Sequence, residues 1–224
     1  MPVVLLLLFR YILGGAIDLG TDVDYVNYLI SGTLVQTLAI GASTTTYNLA
    51  LDLNRGIIDR FRSLPMFTPA LLVGHVTADL IRNTLSSTIV LAVSFLIGFR
   101  PVATPIQWLG IAGMALLFTY SFSWLSAILG LLVKNVEASN WVSFSIVMPL
   151  TLTSSGFVPI SSMPQALEKF ARYQPLTLVI DTIRGWFLGY PVGDTIWLAI
   201  AWCVGIIVVS VPISACLFRN YKLQ

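Results

Sequence analysis

Charge is what this sequence has least of. Only 10% of its 224 residues are Asp, Glu, Lys or Arg, whereas 57% are hydrophobic; an ordinary soluble domain carries roughly 25% charged residues. A water-facing globule of this length would lack the polar surface it needs. Ten acidic residues face twelve basic ones with no long basic block, so no electrostatic footprint exists for gripping nucleic acid. Histidine occurs once, at His75, outside any H-E-x-x-H pattern, and reads as an interfacial or helix-contact residue rather than a catalyst. Cys203 and Cys216 form no C-x-x-C pair and no metal-ligand spacing, so both read as small buried apolar residues. Neither a G-x-x-x-x-G-K-[ST] phosphate loop nor a G-x-S-x-G elbow is present. These absences leave the chain without a catalytic, cofactor-binding or metal-ligand set of its own. Energy from ATP would have to enter through another subunit.

What the sequence does have is long apolar runs. Six spans of about 20 residues would use slightly over half of the chain, which its apolar fraction can supply. The expected spans are 1–17, 25–50, 70–99, 106–133, 139–158 and 195–218, giving an all-α polytopic membrane protein in one domain over 1–224. The first is short, holds Arg10 and lacks the charge-first order of a signal peptide; it reads as a span whose upstream part is missing. A rival reading starts the chain here and lets the bilayer thin around a short helix. Gly32, Gly41, Ser43 and Thr44–Thr46 give the second span small surfaces for close helix contact, so it is expected to face protein more than lipid. Asp79 and Arg82 lie three apart in the third span, on one helix face. Arg100-Pro-Val-Ala-Thr-Pro105 makes a tight turn. The fifth segment is interrupted by Pro149, Thr151–Ser155 and Gly156, and broken backbone at membrane depth must be satisfied by protein or a water-lined cavity.

Orientation follows from Lys and Arg near span ends. Arg55, Arg60, Arg62, Lys134, Arg219 and Lys222 fall on one side, against Arg100, Lys169, Arg172 and Arg184 on the other. The bias places the 52–65 loop and both termini in the cytoplasm of an inner-membrane protein. Trp108, Trp141, Trp186 and Trp197 lie near span ends, where aromatic belts are expected.

Two segments carry more than hydropathy. In Gly56–Pro65, GIIDRFRSLP, the residues Ile57, Ile58, Phe61 and Leu64 form one apolar stripe on a short helix, with Asp59, Arg60 and Arg62 off it. Such a helix can seat its stripe in a partner's groove while its charges fix the register; charge alone also fits a positive-inside loop meeting lipid phosphates. The second segment, Gly156–Gly189, alternates prolines with short charged helical pieces that cannot span. It is either an external cap or an exit path for an amphipathic substrate shaped by Glu168, Arg172, Asp181 and Arg184.

The motifs DYVNYLISGTLVQ (Asp24–Gln36), D-x-x-x-G-I-I-D-R-F-R-S-L-P (Asp52–Pro65), LLVGHVTADLIRN (Leu71–Asn83) and the paired FVPISSMP and FARYQPLTLVIDTIRG stretches resemble the permease subunits of type-2 ABC exporters, in their daunorubicin-resistance branch. The resemblance covers nearly the whole chain. It implies six transmembrane helices, a cytoplasmic coupling helix, and short re-entrant or interfacial helices before the last span. Arg55, Gly56, Ile57, Ile58, Asp59, Arg60, Phe61, Arg62, Ser63 and Leu64 would then meet a separate ATP-binding subunit, which holds ATP and Mg. Phe157, Pro159, Pro164, Glu168, Arg172, Pro175, Asp181 and Arg184 would belong to an external gate. A second permease protomer and membrane lipid are the other implied partners. Ser31-Gly32 stands where the family usually has Pro-Gly, and Gln174-Pro175 where Asn-Pro is common. The family also carries an interfacial helix ahead of its first span, with no counterpart here. The expected function is export of a hydrophobic or amphipathic substrate, drug or lipid-like. A polysaccharide or glycolipid exporter is one alternative and a non-transporting assembly scaffold another. A secondary transporter would need midplane ionisable residues and an inverted repeat, and the sequence offers only Arg10, marginally placed, and no convincing repeat.

Overall fold

The computed structural model describes residues 2–8, 25–55, 70–133 and 135–220. Eight α-helices occupy them: α1 Pro2–Leu8, α2 Tyr25–Asn54, α3 Ala70–Leu96, α4 Pro105–Leu132, α5 Val136–Leu152, α6 Gln165–Tyr173, α7 Pro175–Leu188 and α8 Thr195–Asn220, with a 3-10 turn at Ile160–Ser162. No strand occurs among the described residues. Among the described residues three helices are long and apolar enough to cross a membrane: α3, α4 and, over Thr195–Arg219, α8. At 1.5 Å per residue α3 reaches about 40 Å, more than the roughly 30 Å hydrocarbon core. Only Pro2–Leu8 of the expected first span, and nothing of the 17–24 loop, falls within the described residues.

α2 is the hub, packing against α3, α4, α5 and α7. Residues 29–39 are buried without a break, although Ser31, Thr33, Gln36 and Thr37 are among them. Thr33 and Thr37 donate to the carbonyls of Leu29 and Thr33 at 3.0 and 2.7 Å, so these hydroxyls are satisfied within the helix at little cost. Lipid tails are as apolar as leucine, so helix association in a membrane draws on close packing of small residues rather than on water exclusion. Gly32 lies so close to Gly156 that a Cβ would overlap its carbonyl, and Gly130 sits against the Thr46 carbonyl. The protein-facing expectation for the second span therefore holds.

The core has two parts. One joins Leu34 and Leu38 of α2 to Phe118 of α4 and Ile180 and Phe187 of α7. The other joins Leu49 of α2 to Leu72 of α3, Trp124 and Leu131 of α4 and Phe218 of α8.

The turns behave as the prolines require. Thr104 caps α4 with a reciprocal box: Gln107 N–H donates to Thr104 Oγ1 at 3.4 Å and Thr104 N–H to Gln107 Oε1 at 2.7 Å, while Pro105 opens the helix where no donor is needed. α3 stops at Leu96, three residues before the expected end, because Gly98 reverses the chain at φ +104. Phe99 is then buried edge-on against Phe187, ring centroids 5.1 Å apart. α5 runs through Pro149 without a break, so that proline does not interrupt the fifth segment as expected; the helix ends at Leu152 in a series of turns through Val158, within the expected Thr151–Gly156 break. Another expectation fails: Cys203 is buried but Cys216 is exposed, because it lies on the outward side of α8, where an apolar thiol costs nothing against lipid.

Candidate functional site

Two polar systems interrupt the apolar bundle, one at each end of α2. At the end where α2 finishes, Arg55 occupies an exposed turn and donates its backbone N–H to the Leu51 carbonyl at 3.0 Å. The remaining residues expected to couple, Gly56, Ile57, Ile58, Asp59, Arg60, Phe61, Arg62, Ser63 and Leu64, lie outside the described residues. The two helices flanking that segment meet through His75 Nε2 of α3, 3.2 Å from Asp52 Oδ2 of α2. Farther into the bundle Asp79 is buried, accepting from Thr45 Oγ1, from Thr44 Oγ1 at 3.2 Å and from Arg82 Nη1 at 3.0 Å. The i,i+3 pair expected from spacing is thus formed, and Arg82 also donates to Thr44 Oγ1 at 2.8 Å. The pair is lopsided: the Arg82 side chain is 49% exposed and that of Asp79 only 2%.

This half of α2 is open along one stripe. Ile40, Ser43, Thr44, Tyr47, Asn48, Leu51 and Asp52 recur at helical spacing, and all are exposed or half-buried, whereas Thr45, Thr46, Leu49, Ala50 and Leu53 are buried. A groove of about 430 Å³ lies between this stripe and α5, walled by Asn140, Ser143 and the exposed Trp141 and Phe144. A second, of about 280 Å³, lies between it and α3, walled by Asn48, Asp52, His75, Asp79 and Arg82.

At the other end α2 is sealed. Arg184 of α7 donates from Nη1 to Asp181 Oδ1 at 2.8 Å, from Nη2 to the Ser155 carbonyl at 2.6 Å and from Nε to Ser31 Oγ at 3.1 Å. Its Cζ lies 3.6 Å from the centroid of the Tyr28 ring, a cation–π contact, and Tyr28 Oη donates to the same Ser155 carbonyl at 2.7 Å. Ser155 Oγ donates to Asp181 Oδ1 at 2.6 Å. One guanidinium thus ties together α2, the 153–158 turns and α7, and charge-assisted bonds are the strong kind. Burial pushes the Asp181 carboxyl above its ordinary range, opposed by the Arg184 charge and the Ser155 hydroxyl. Where the family pattern has Pro, Ser31 supplies an acceptor.

The expected gate residues therefore divide. Asp181 and Arg184 share one network. Glu168 and Arg172 pair with each other at 2.7 Å on exposed α6, apart from it. Phe157 is buried in the core; Pro159 and Pro164 precede the 3-10 turn and α6, and Pro175 begins α7. Sequence reading missed Tyr28, Ser31 and Ser155. The only signal was a run of hydroxyl residues beside a break, which marks a turn without naming its partners.

Compared with known proteins, the profile of the ABC-2 type transporter family matches residues 1–188. The chain belongs to that family. This permease is 28% identical over 220 residues to the daunorubicin resistance ABC transporter permease protein DrrB1 of Streptomyces coeruleorubidus, covering 98% of its own length and 77% of the relative's. It is 26% identical over 229 residues to the probable doxorubicin resistance ABC transporter permease protein DrrC of Mycobacterium tuberculosis, covering 96% and 78%. The resemblance read from the motifs is thereby confirmed, and the chain is the permease component of an ABC-type exporter, not its ATPase. Among the described residues no group of three His, Cys, Asp or Glu could hold a metal ion.

Proposed function

We propose that two copies of this permease face one another across the open stripe of α2 and the exposed side of α5. They would enclose a vestibule open to the cytoplasm and sealed outside by the Arg184 network. Six crossings are assigned to the first segment, α2, α3, α4, α5 and α8, with both termini cytoplasmic and α6 and α7 lying at the outer surface. Two ATP-binding subunits would press on Gly56–Leu64 and tilt α2 and α3, which the Asp52–His75 and Asp79–Thr44–Arg82 contacts hold together. The gate residues on α7 would then part. The cargo is a hydrophobic or amphipathic drug, by analogy with relatives named for resistance to daunorubicin and doxorubicin.

The observation that carries this reading is Arg82. A guanidinium half exposed twelve residues into an apolar helix is costly against lipid. Water in a vestibule, or a facing copy, removes that cost. The test is partner-ATPase stimulation in reconstituted complexes carrying Arg60→Glu and Arg62→Glu. Loss of most stimulation with assembly intact is expected, and full stimulation in an intact complex would overturn the coupling role.

A further inference from the structure

A third cavity lies away from the vestibule, between α3 and α4 with α2 as its floor, and encloses about 140 Å³. Leu34 and Leu38 form the floor, while Trp108, Ala112 and Leu116 of α4 form one wall. Both walls belong to helices long and apolar enough to cross a membrane, and Leu116 and nearby Leu85 are exposed. The cavity therefore opens toward lipid and not toward water.

Four hydroxyl residues line it, and three are spoken for. Thr84, Thr88 and Thr119 donate to the carbonyls of Leu80, Thr84 and Ala115 at 2.7, 2.8 and 2.8 Å. Ser87 does not follow this habit. It is 8% exposed and its Oγ has no hydrogen-bond partner among the described residues. A buried hydroxyl left unpaired is unfavourable. We infer that this cavity is a binding site for a ring-sized apolar group carrying one hydrogen-bonding atom, taken up from the lipid phase, with Ser87, whose enclosed Oγ reaches the ligand by turning about χ1, as its polar anchor. The size fits: a dry cavity of about 150 Å³ lined by apolar side chains accepts benzene. A plain hydrocarbon chain would fill the same space and leave Ser87 unpaired, so an alcohol or carbonyl on the ligand is preferred. The inference does not rest on the transport reading, since neither Gly56–Leu64 nor α5 lines the cavity, although α2 and α3 belong to both.

The probe is 4-bromobenzyl alcohol, whose bromine quenches indole emission, titrated into the full chain in phosphatidylcholine nanodiscs. The Trp108 signal is isolated as the difference from Trp108→Phe. Saturable quenching of Trp108 is expected in the unmodified chain. Ser87→Ala should weaken it about fivefold, and Ala112→Phe, which fills the cavity from its exposed side, should abolish it. With 4-bromotoluene, which has no hydroxyl, Ser87→Ala should bind as the unmodified chain does. Quenching that rises linearly and equally in Ala112→Phe would overturn the proposal, as would saturable binding indifferent to Ser87→Ala. So would strong Trp108 quenching by dibrominated phosphatidylcholine that benzyl alcohol, which carries no bromine, does not relieve, since a lipid chain would then hold the cavity. Circular dichroism of each variant separates lost binding from lost fold.

Discussion

Arg184 engages all three of its guanidinium nitrogens with protein acceptors and its face with Tyr28. Its side chain is 11% exposed, that of Asp181 36%. Removing one partner of a fully buried pair costs about 3–5 kcal/mol, but the exposure of Asp181 lowers that toward about 2 kcal/mol for Arg184→Ala. Arg184→Lys keeps the charge and forfeits the fork that reaches Ser31 and Ser155 together, so it should recover less than half of the loss. Ser31→Ala removes one acceptor and should cost about 1 kcal/mol. SDS-induced unfolding in mixed micelles measures all three, and an Arg184→Lys variant as stable as the parent would show that charge alone holds the outer end. Composition and spacing exposed the Asp181–Arg184 pair because its members are three apart. They could not expose Tyr28 or Ser31, which lie 127 residues from Ser155 and 153 from Arg184; such contacts exist only once the helices are packed.

Among the elements, α3, α4 and α8 were legible because hydropathy alone separates a lipid-facing helix from everything else. α2 was legible for a different reason. Its glycines and hydroxyl residues announce close contact, and the structure supplies that contact at Gly32 against Gly156 and at Thr46 against Gly130. The register of the contact was not legible, since small residues occur on several faces. Gly32→Ala should push α2 away from the 153–158 turns and cost about 1–3 kcal/mol as overpacking. Gly74→Ala, in the same family of helices but facing open space, should be neutral or slightly stabilising. At the start of α4, Thr104→Ala breaks the capping box and should cost about 1 kcal/mol. Thermal unfolding in detergent distinguishes these cases, and equal midpoints for the two glycine variants would refute the close approach of α2 to the turns.

For the whole molecule, the division of α2 into a sheathed half and a bare half is the organising feature. Trp141 and Phe144 are exposed on α5 beside the bare half, an arrangement suited to burial by a second copy. Trp141→Cys in the proposed dimer should form an intermolecular disulfide in native membranes, in a background where Cys203 and Cys216 are serine. Ile81→Cys, exposed on the lipid-facing side of α3, should not. A crosslink at Ile81 and none at Trp141 would move the interface to another face. The expectation that Gly56–Leu64 couples to an ATPase was read from a charged amphipathic pattern and a family resemblance, and the segment lies outside the described residues. Hydropathy could not have revealed the open stripe of α2, because Asn48, Thr44 and Asp52 are spread along a helix that otherwise resembles its neighbours.

α2 has a further consequence, in how the protein is made. It is the most enclosed long helix, yet among the described residues it is not one of those apolar enough to enter a bilayer by composition, and Thr45 and Thr46 find their partners, Asp79 and the Ser126 carbonyl, only in α3 and α4. A nascent chain halted after Asn54 should therefore slip back from the translocon, and integration should become secure only when α3 and α4 have emerged from the ribosome. In this protein the helix at the centre is the one that must wait for the others.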